Sequence, residues 1–202
     1  LYPTNGVSNF QESQMLYYTG KNSFAVSVEG NFDDCQNLVK KIFTSGLELK
    51  NFELSSANSI NIGRLVPQII YYFYTYLSMV NNKEIKFGEK INFVVPTGNF
   101  GNILACYIAK QMGLYIDKIV CASNENNVLT DFFNNKVYDK NRDFHLTNSP
   151  AMDILISSNL ERLLYLITNN DEVLVAKLMN DLKETGKYSL PKEYHNALND
   201  FY

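Results

Sequence analysis

The chain has 202 residues, 46% of them apolar and 19% charged, with a formal net charge of −3; that is enough for one large or two small domains around a real hydrophobic core. The mild negative charge excludes a general nucleic-acid binder, which carries a basic face. The longest apolar run, Ile69 to Met79, is interrupted by Thr75 and Ser78 and is too short and too polar to span a bilayer.

Three cysteines (Cys35, Cys106 and Cys121) and no secretory leader place the expected compartment in the reducing cytosol. The chain opens on Leu1-Tyr2-Pro3 without a methionine and stops at Phe201-Tyr202, where a further helix is under way. It therefore reads as an excerpt of a longer protein, with residues needed for function expected outside it.

In chain order, Val7 to Thr19 has helical spacing with Ser8 as its N-cap, and Gly20 stops it. Phe24 to Glu29 alternates apolar and polar residues and is predicted as a strand. Phe32 to Phe43 is predicted as a helix. Asp33 and Asp34 lie in its first turn and Lys40 and Lys41 in its last, as the helix dipole favours. Cys35, Leu38, Val39 and Ile42 form its expected buried stripe. After Leu54 to Ser59, a long helical pattern runs from Ile62 to Val80, with Pro67 inside it. Proline has no N–H to donate, so a kink, or a helix whose regular part begins near Pro67, is expected there.

Ile91 to Val95 is a short, almost wholly apolar run, the pattern of a parallel strand buried on both faces. A helix is predicted from Ile103 to Met112, with Gly113 at its C′ position. Lys118 to Ala122 reads as a second buried strand. Asn124 to Asn148 is polar and irregular, apart from a short helical stretch at Val128 to Asn134. Pro150 is placed to open a helix to Ile167; another covers Asp171 to Lys183, and Pro191 starts a last one. Strands separated by helices of this length imply an α/β protein, a parallel sheet with helices on both faces.

Between the strand and the helix lies Val95-Pro96-Thr97-Gly98-Asn99-Phe100-Gly101-Asn102. A phosphate at this place meets free amides at a helix N-terminus and the positive end of the dipole. Gly98 and Gly101 allow positive φ and close approach of the backbone, while Thr97, Asn99 and Asn102 offer side-chain donors or caps. Two glycines between a strand and a helix fit an ordinary tight turn equally well. The loop lacks the Gly-Lys-Ser/Thr ending of an ATPase loop and the three-glycine spacing of a dinucleotide fingerprint.

The whole octapeptide resembles the phosphate-binding loop of threonine synthases, pyridoxal-phosphate enzymes of the tryptophan synthase β-like fold. Three further stretches resemble the same family in the same order: Tyr2-Pro3 with Val7-Ser8, Gln11 and Gln14-Met15; Glu29 to Gln36; and Asn58-Ser59-Ile60-Asn61-Ile62-Gly63-Arg64-Leu65. A weaker likeness continues through Ser123-Asn124 to Asn148, Ala151, Met152 and Asp153. The Asn-Phe pair inside the loop is similar to the bacterial and fungal branch.

The resemblance implies the incomplete three-layer αβα architecture of the fold-type II pyridoxal-phosphate enzymes. Residues 1–57 would be the end of a first domain and residues 58–202 a phosphate-loop domain lacking its C-terminal part. It implies conversion of O-phospho-L-homoserine and water to L-threonine and phosphate, with pyridoxal 5′-phosphate held by a lysine as a Schiff base. That lysine belongs to a Phe-Lys-Asp stretch that in the family lies upstream of anything matching Leu1, and the tripeptide does not occur here; no catalytic residue is therefore expected in this chain.

Thr97, Gly98, Asn99, Phe100, Gly101 and Asn102 are carried over as cofactor-binding. Asn58, Ser59, Asn61 and Arg64 either lie beside the substrate, where Arg64 has the chemistry for a phosphate, or cap a helix that packs two domains together. No nucleic acid or membrane is expected as a partner. Rival readings are a phospholigand-binding module that has lost catalysis and a lyase acting on another phosphorylated amino acid.

The remaining candidates are weaker. His145 and His195 are far apart and have no companion ligand pattern for a metal. Cys106 is expected in the core, and the Tyr71-Tyr72-Phe73-Tyr74-Tyr76 cluster follows helical packing, with no basic residue beside it before Lys83.

Overall fold

A computed structural model describes residues 1–4, 6–46, 53–56, 61–149 and 152–201. The first helix, α1 (Asn9–Tyr17), forms where its cap predicts. Ser8 Oγ accepts the Gln11 amide at 3.2 Å, and the Gln11 side chain accepts the Ser8 amide at 3.2 Å, a reciprocal box satisfying two donors. The predicted strand at Phe24 to Glu29 shrinks to β2 (Ser27–Val28), parallel to β1 (Tyr2–Pro3). A strand exists only as far as a neighbour supplies its hydrogen bonds, and Phe24 stands 77% exposed.

Helix α2 (Phe32–Thr44) has the predicted extent. Asn31 and Asp34 exchange backbone-to-side-chain hydrogen bonds at its start, at 2.8 and 3.1 Å. Its expected stripe is corrected: Cys35 is buried, but Leu38 and Ile42 are 39% and 36% exposed, because no described element covers that face. The interruption expected at Pro67 is present. α3 (Ile62–Leu65) passes into a 3-10 turn at Val66–Gln68 and then into α4 (Ile69–Asn81). Pro67 sits in the first turn of that segment, where a missing N–H breaks no bond.

The centre is built on β3 (Ile91–Pro96) and β4 (Ile116–Ala122), paired in parallel with Val95 opposite Cys121. α5 (Gly101–Gln111) packs on both strands and α4 packs on α5. Ile103, Leu104, Ala105, Cys106 and Ala109 are all buried on α5, and the two alanines let the helix lie close to the strands. Gly113 takes the left-handed conformation after it, at φ 99°. The expectation of strands buried on both faces is corrected. Val94 is 66% and Val120 45% exposed, since burial alternates along β3 and only the face carrying Phe93 and Val95 is covered.

The second half adds α6 (Val128–Asn135), β5 (Val137–Asp139), α7 (Leu160–Ile167), α8 (Glu172–Thr185), β6 (Lys187–Ser189) and α9 (His195–Asn199). The antiparallel pair β5–β6, with Tyr138 opposite Tyr188, was not predicted; three residues are too few to show a period. Pro150 lies outside the described residues, and the helix expected from it begins only at Leu160, because Asp153, Ser157 and Asn159 are held by tertiary hydrogen bonds. α8 is capped by Asp171, which accepts the Leu174 amide at 2.9 Å. Pro191 leads through a 3-10 turn into α9.

Aromatic rings join these parts. Phe133 stacks on Phe201 at 5.4 Å and Tyr138 on Tyr188 at 5.4 Å, while Phe132 meets Phe133, Tyr138 and Tyr188 at 5.7–5.8 Å. Phe132 has no exposed surface. The Phe132→Ala variant of the full-length protein is expected to lose about 3–5 kcal/mol of stability, read as a lower urea midpoint; a loss under 1 kcal/mol contradicts this packing.

Candidate functional site

The loop leaves the C-terminal end of β3 and enters α5 without a side-chain cap. Its left-handed residue is Phe100, at φ 66° and ψ 2°. Gly98 and Gly101 are not among the residues of positive φ, which corrects the conformational role expected of them. A phenylalanine in this region costs on the order of 1–2 kcal/mol. The buried ring offsets that cost: Phe100 is 1% exposed and lies 5.5 Å from the Phe201 ring and 6.1 Å from that of Phe133.

The loop's carbonyls are held from one side. Ser157 Oγ donates to the Gly98 carbonyl at 2.8 Å. The Asn159 amide and Nδ2 both donate to the Asn99 carbonyl, at 3.1 and 2.8 Å. Tyr72, on α4, places its hydroxyl 2.5 Å from Asn102 Oδ1 and 3.0 Å from the Asn102 carbonyl; burial keeps that phenol protonated by raising its pKa.

The amides are the reverse case. Those of Gly98, Asn99, Phe100, Gly101, Asn102 and Ile103 donate to nothing among the described residues, and the first amide engaged is Leu104, bonded to the Phe100 carbonyl at 3.1 Å. A helix start accounts for the last three; the loop supplies the others. Successive N–H groups around a left-handed residue at the positive end of a helix dipole form an anion-binding concavity. This donor set fits a phosphate group.

Not every residue singled out in the sequence contributes a donor. Thr97 is spent internally: its amide pairs with the Ala122 carbonyl at 2.9 Å and its hydroxyl donates to the Val95 carbonyl at 2.7 Å. Asn61 caps α3, accepting the Gly63 amide at 2.9 Å and donating to the Ser56 carbonyl at 2.9 Å. Arg64 is exposed on the same helix and forms no ion pair among the described residues. Asn58 and Ser59 lie outside the described residues. Ser157, Asn159 and Tyr72 were missed, since they reach the loop from 30 to 60 residues away and carry no local pattern.

Beside the loop, beyond β4, a second polar network is closed on itself. Asp153 is 5% exposed. Its carboxylate accepts from Asn124 Nδ2 at 2.7 Å, the Thr147 amide at 2.8 Å, Thr147 Oγ1 at 2.7 Å and Asn126 Nδ2 at 3.2 Å. Such a carboxylate is satisfied by structure and ties Asn124, Asn126 and Thr147 together. No cluster of ligand side chains able to hold a metal occurs among the described residues. No described helix is long and apolar enough to cross a membrane. Cys106 is wholly buried and burial pushes its thiol up to about 12, as a core residue requires.

Parallel strands flanked by helices, with an amide-lined turn from strand to helix, define an incomplete fold-type II pyridoxal-phosphate architecture. No family model matches the chain. Human threonine synthase-like 1 is 46% identical over 198 residues, 95% of this chain and 27% of the relative. Saccharomyces cerevisiae threonine synthase is 42% identical over 211 residues, 100% of this chain and 40% of the relative. The solved structure of PLP-bound threonine synthase from Brucella melitensis superposes with a TM-score of 0.82 at 41% identity, covering 98% of this chain and 41% of that one. The chain is homologous to the threonine synthases and spans between 27% and 41% of the length of these relatives.

Two outcomes check this geometry. Asn159 makes no side-chain cap for α7, so Asn159→Ala should cost about 1 kcal/mol in urea unfolding with the far-ultraviolet helix signal unchanged; lost helix would contradict the assignment. Cys121, beside Thr97, has its thiol pushed up to about 11 by burial. Its thiolate fraction at pH 8 is then roughly one in a thousand, and iodoacetamide alkylation, followed by mass spectrometry, should keep rising with pH through pH 10. A plateau near pH 9 would contradict the burial.

Proposed function

We propose that the full-length protein is a pyridoxal-phosphate-dependent carbon–oxygen lyase, a threonine synthase converting O-phospho-L-homoserine and water to L-threonine and phosphate. The observation that carries the reading is the uninterrupted run of amides from Gly98 to Ile103 that have no partner among the described residues; relatives named threonine synthase support it. The loop Thr97–Asn102 holds the cofactor's phosphate: Gly98, Asn99, Phe100, Gly101 and Asn102 supply amides, and Thr97 ties the loop to β4. When bound, the cofactor supplies an electron sink for elimination and water addition. Each amide bond to the dianion contributes roughly 1.5–3 kcal/mol before ordering costs, so several together anchor it.

Asn58, Ser59, Asn61 and Arg64 are proposed to face the substrate. Arg64 offers a guanidinium that forms no ion pair among the described residues to the phosphate of O-phospho-L-homoserine, and the packing of α3 on α5 supports this. We assign residues 1–57 to the end of one αβα domain and residues 58–202 to the phosphate-loop domain. Three free thiols support a cytoplasmic protein. The reaction belongs to the whole protein, and this chain by itself is proposed to be inactive. The alternative reading is a phospholigand-binding module without the synthase reaction; one relative, 46% identical, is named threonine synthase-like 1.

Calorimetry with pyridoxamine 5′-phosphate on the full-length protein tests the cofactor assignment, since this ligand has no aldehyde to react with stray lysines. Saturable binding, lost in the Gly98→Val, Gly101→Val variant, is expected. A folded full-length protein that fails to bind overturns the assignment. Turnover of O-phospho-L-homoserine to L-threonine separates the synthase from the binding module.

A further inference from the structure

Between α2, β5, α8 and the segment preceding α7 lies a cavity of about 520 Å³, within the size range of small-molecule sites. Four lysines line it from separate places, Lys40 and Lys41 on α2, Lys140 just after β5, and Lys183 on α8, with one acidic residue, Glu161, among the lining. None of the four lysines forms an ion pair among the described residues. Like charges gathered on one cavity repel one another unless an anion sits among them.

A second observation points the same way. Tyr188 lines the cavity and is 4% exposed, and its hydroxyl is shielded from solvent without a hydrogen-bond partner among the described residues. Its ring is fixed by stacking on Tyr138 at 5.4 Å and 5°. Burial raises its pKa, so it stays a donor. A buried donor left unpaired is unfavourable, and an acceptor entering the cavity would satisfy it. Ile156, Leu160, Met179 and Leu182 supply apolar wall.

We propose that this cavity binds a small organic anion, its carboxylate or phosphate head among Lys40, Lys41, Lys140 and Lys183 and its apolar body against Met179 and Leu182, with Tyr188 donating to an acceptor on it. The cavity does not rest on the cofactor reading. It does touch the loop, because Ser157 and Ser158 on its wall donate to the Gly98 carbonyl at 2.8 Å and to Asn99 Oδ1 at 3.4 Å, so an occupant would bear on the segment that holds the loop.

The test is a titration of the full-length protein with phenyl phosphate, benzoate and neutral benzyl alcohol. At least one anion should bind saturably; the tighter of the two identifies the head group. Benzyl alcohol should bind at least about tenfold more weakly. The Lys140→Gln, Lys183→Gln double variant, which changes exposed or half-exposed side chains, should weaken anion binding by about tenfold, and Tyr188→Phe by about fivefold. Pyridoxamine 5′-phosphate affinity should be unchanged in both, which separates this cavity from the loop. Absence of saturable anion binding, equal affinity in the double variant, or equally tight benzyl alcohol overturns the proposal.

Discussion

The burial of the Phe100 ring is the constraint on which the rest of the site depends. Phe100 occupies a backbone region that a side chain normally avoids, and it is held there by the rings of Phe133 and Phe201. Release of that ring would let the turn relax, and the amides on either side would lose their common direction. The aromatic cluster is therefore a device of the site as much as of the core. It ties a loop following β3 to α6 and to the end of the chain.

The second constraint is the separation of carbonyls from amides. Backbone groups in a tight turn must all find partners. Here the carbonyls of Gly98 and Asn99 are taken by Ser157 and Asn159, while six consecutive amides are left without a partner among the described residues. The delayed start of α7 follows from the same requirement, since residues committed to holding the loop are not available to a helix. Asp153 ties Asn124 and Thr147 together by hydrogen bonding.

Exposure of apolar side chains is uneven in an informative way. Phe10, Tyr17, Phe24 and Tyr74 are each more than 70% exposed. Val94 and Val120 leave one face of β3 and β4 open. The chain spans less than half the length of these relatives.

The elements with strong local signals were legible from the sequence alone: the Ser8 cap, the break at Pro67, the apolar run of β3 and the left-handed Gly113 each depend on residues within one or two turns. The position of the loop was legible in the same way, because strand, turn and helix follow one another directly. Tertiary structure alone decided three things. It gave the left-handed position to Phe100 and not to a glycine, since distant rings stabilise it. It spent Thr97 on β4 and brought in Tyr72, Ser157 and Asn159. It joined β5 to β6 across nearly fifty residues. Hydrogen bonds and ring contacts between remote segments leave no period or spacing in the sequence; they exist only once the chain has packed.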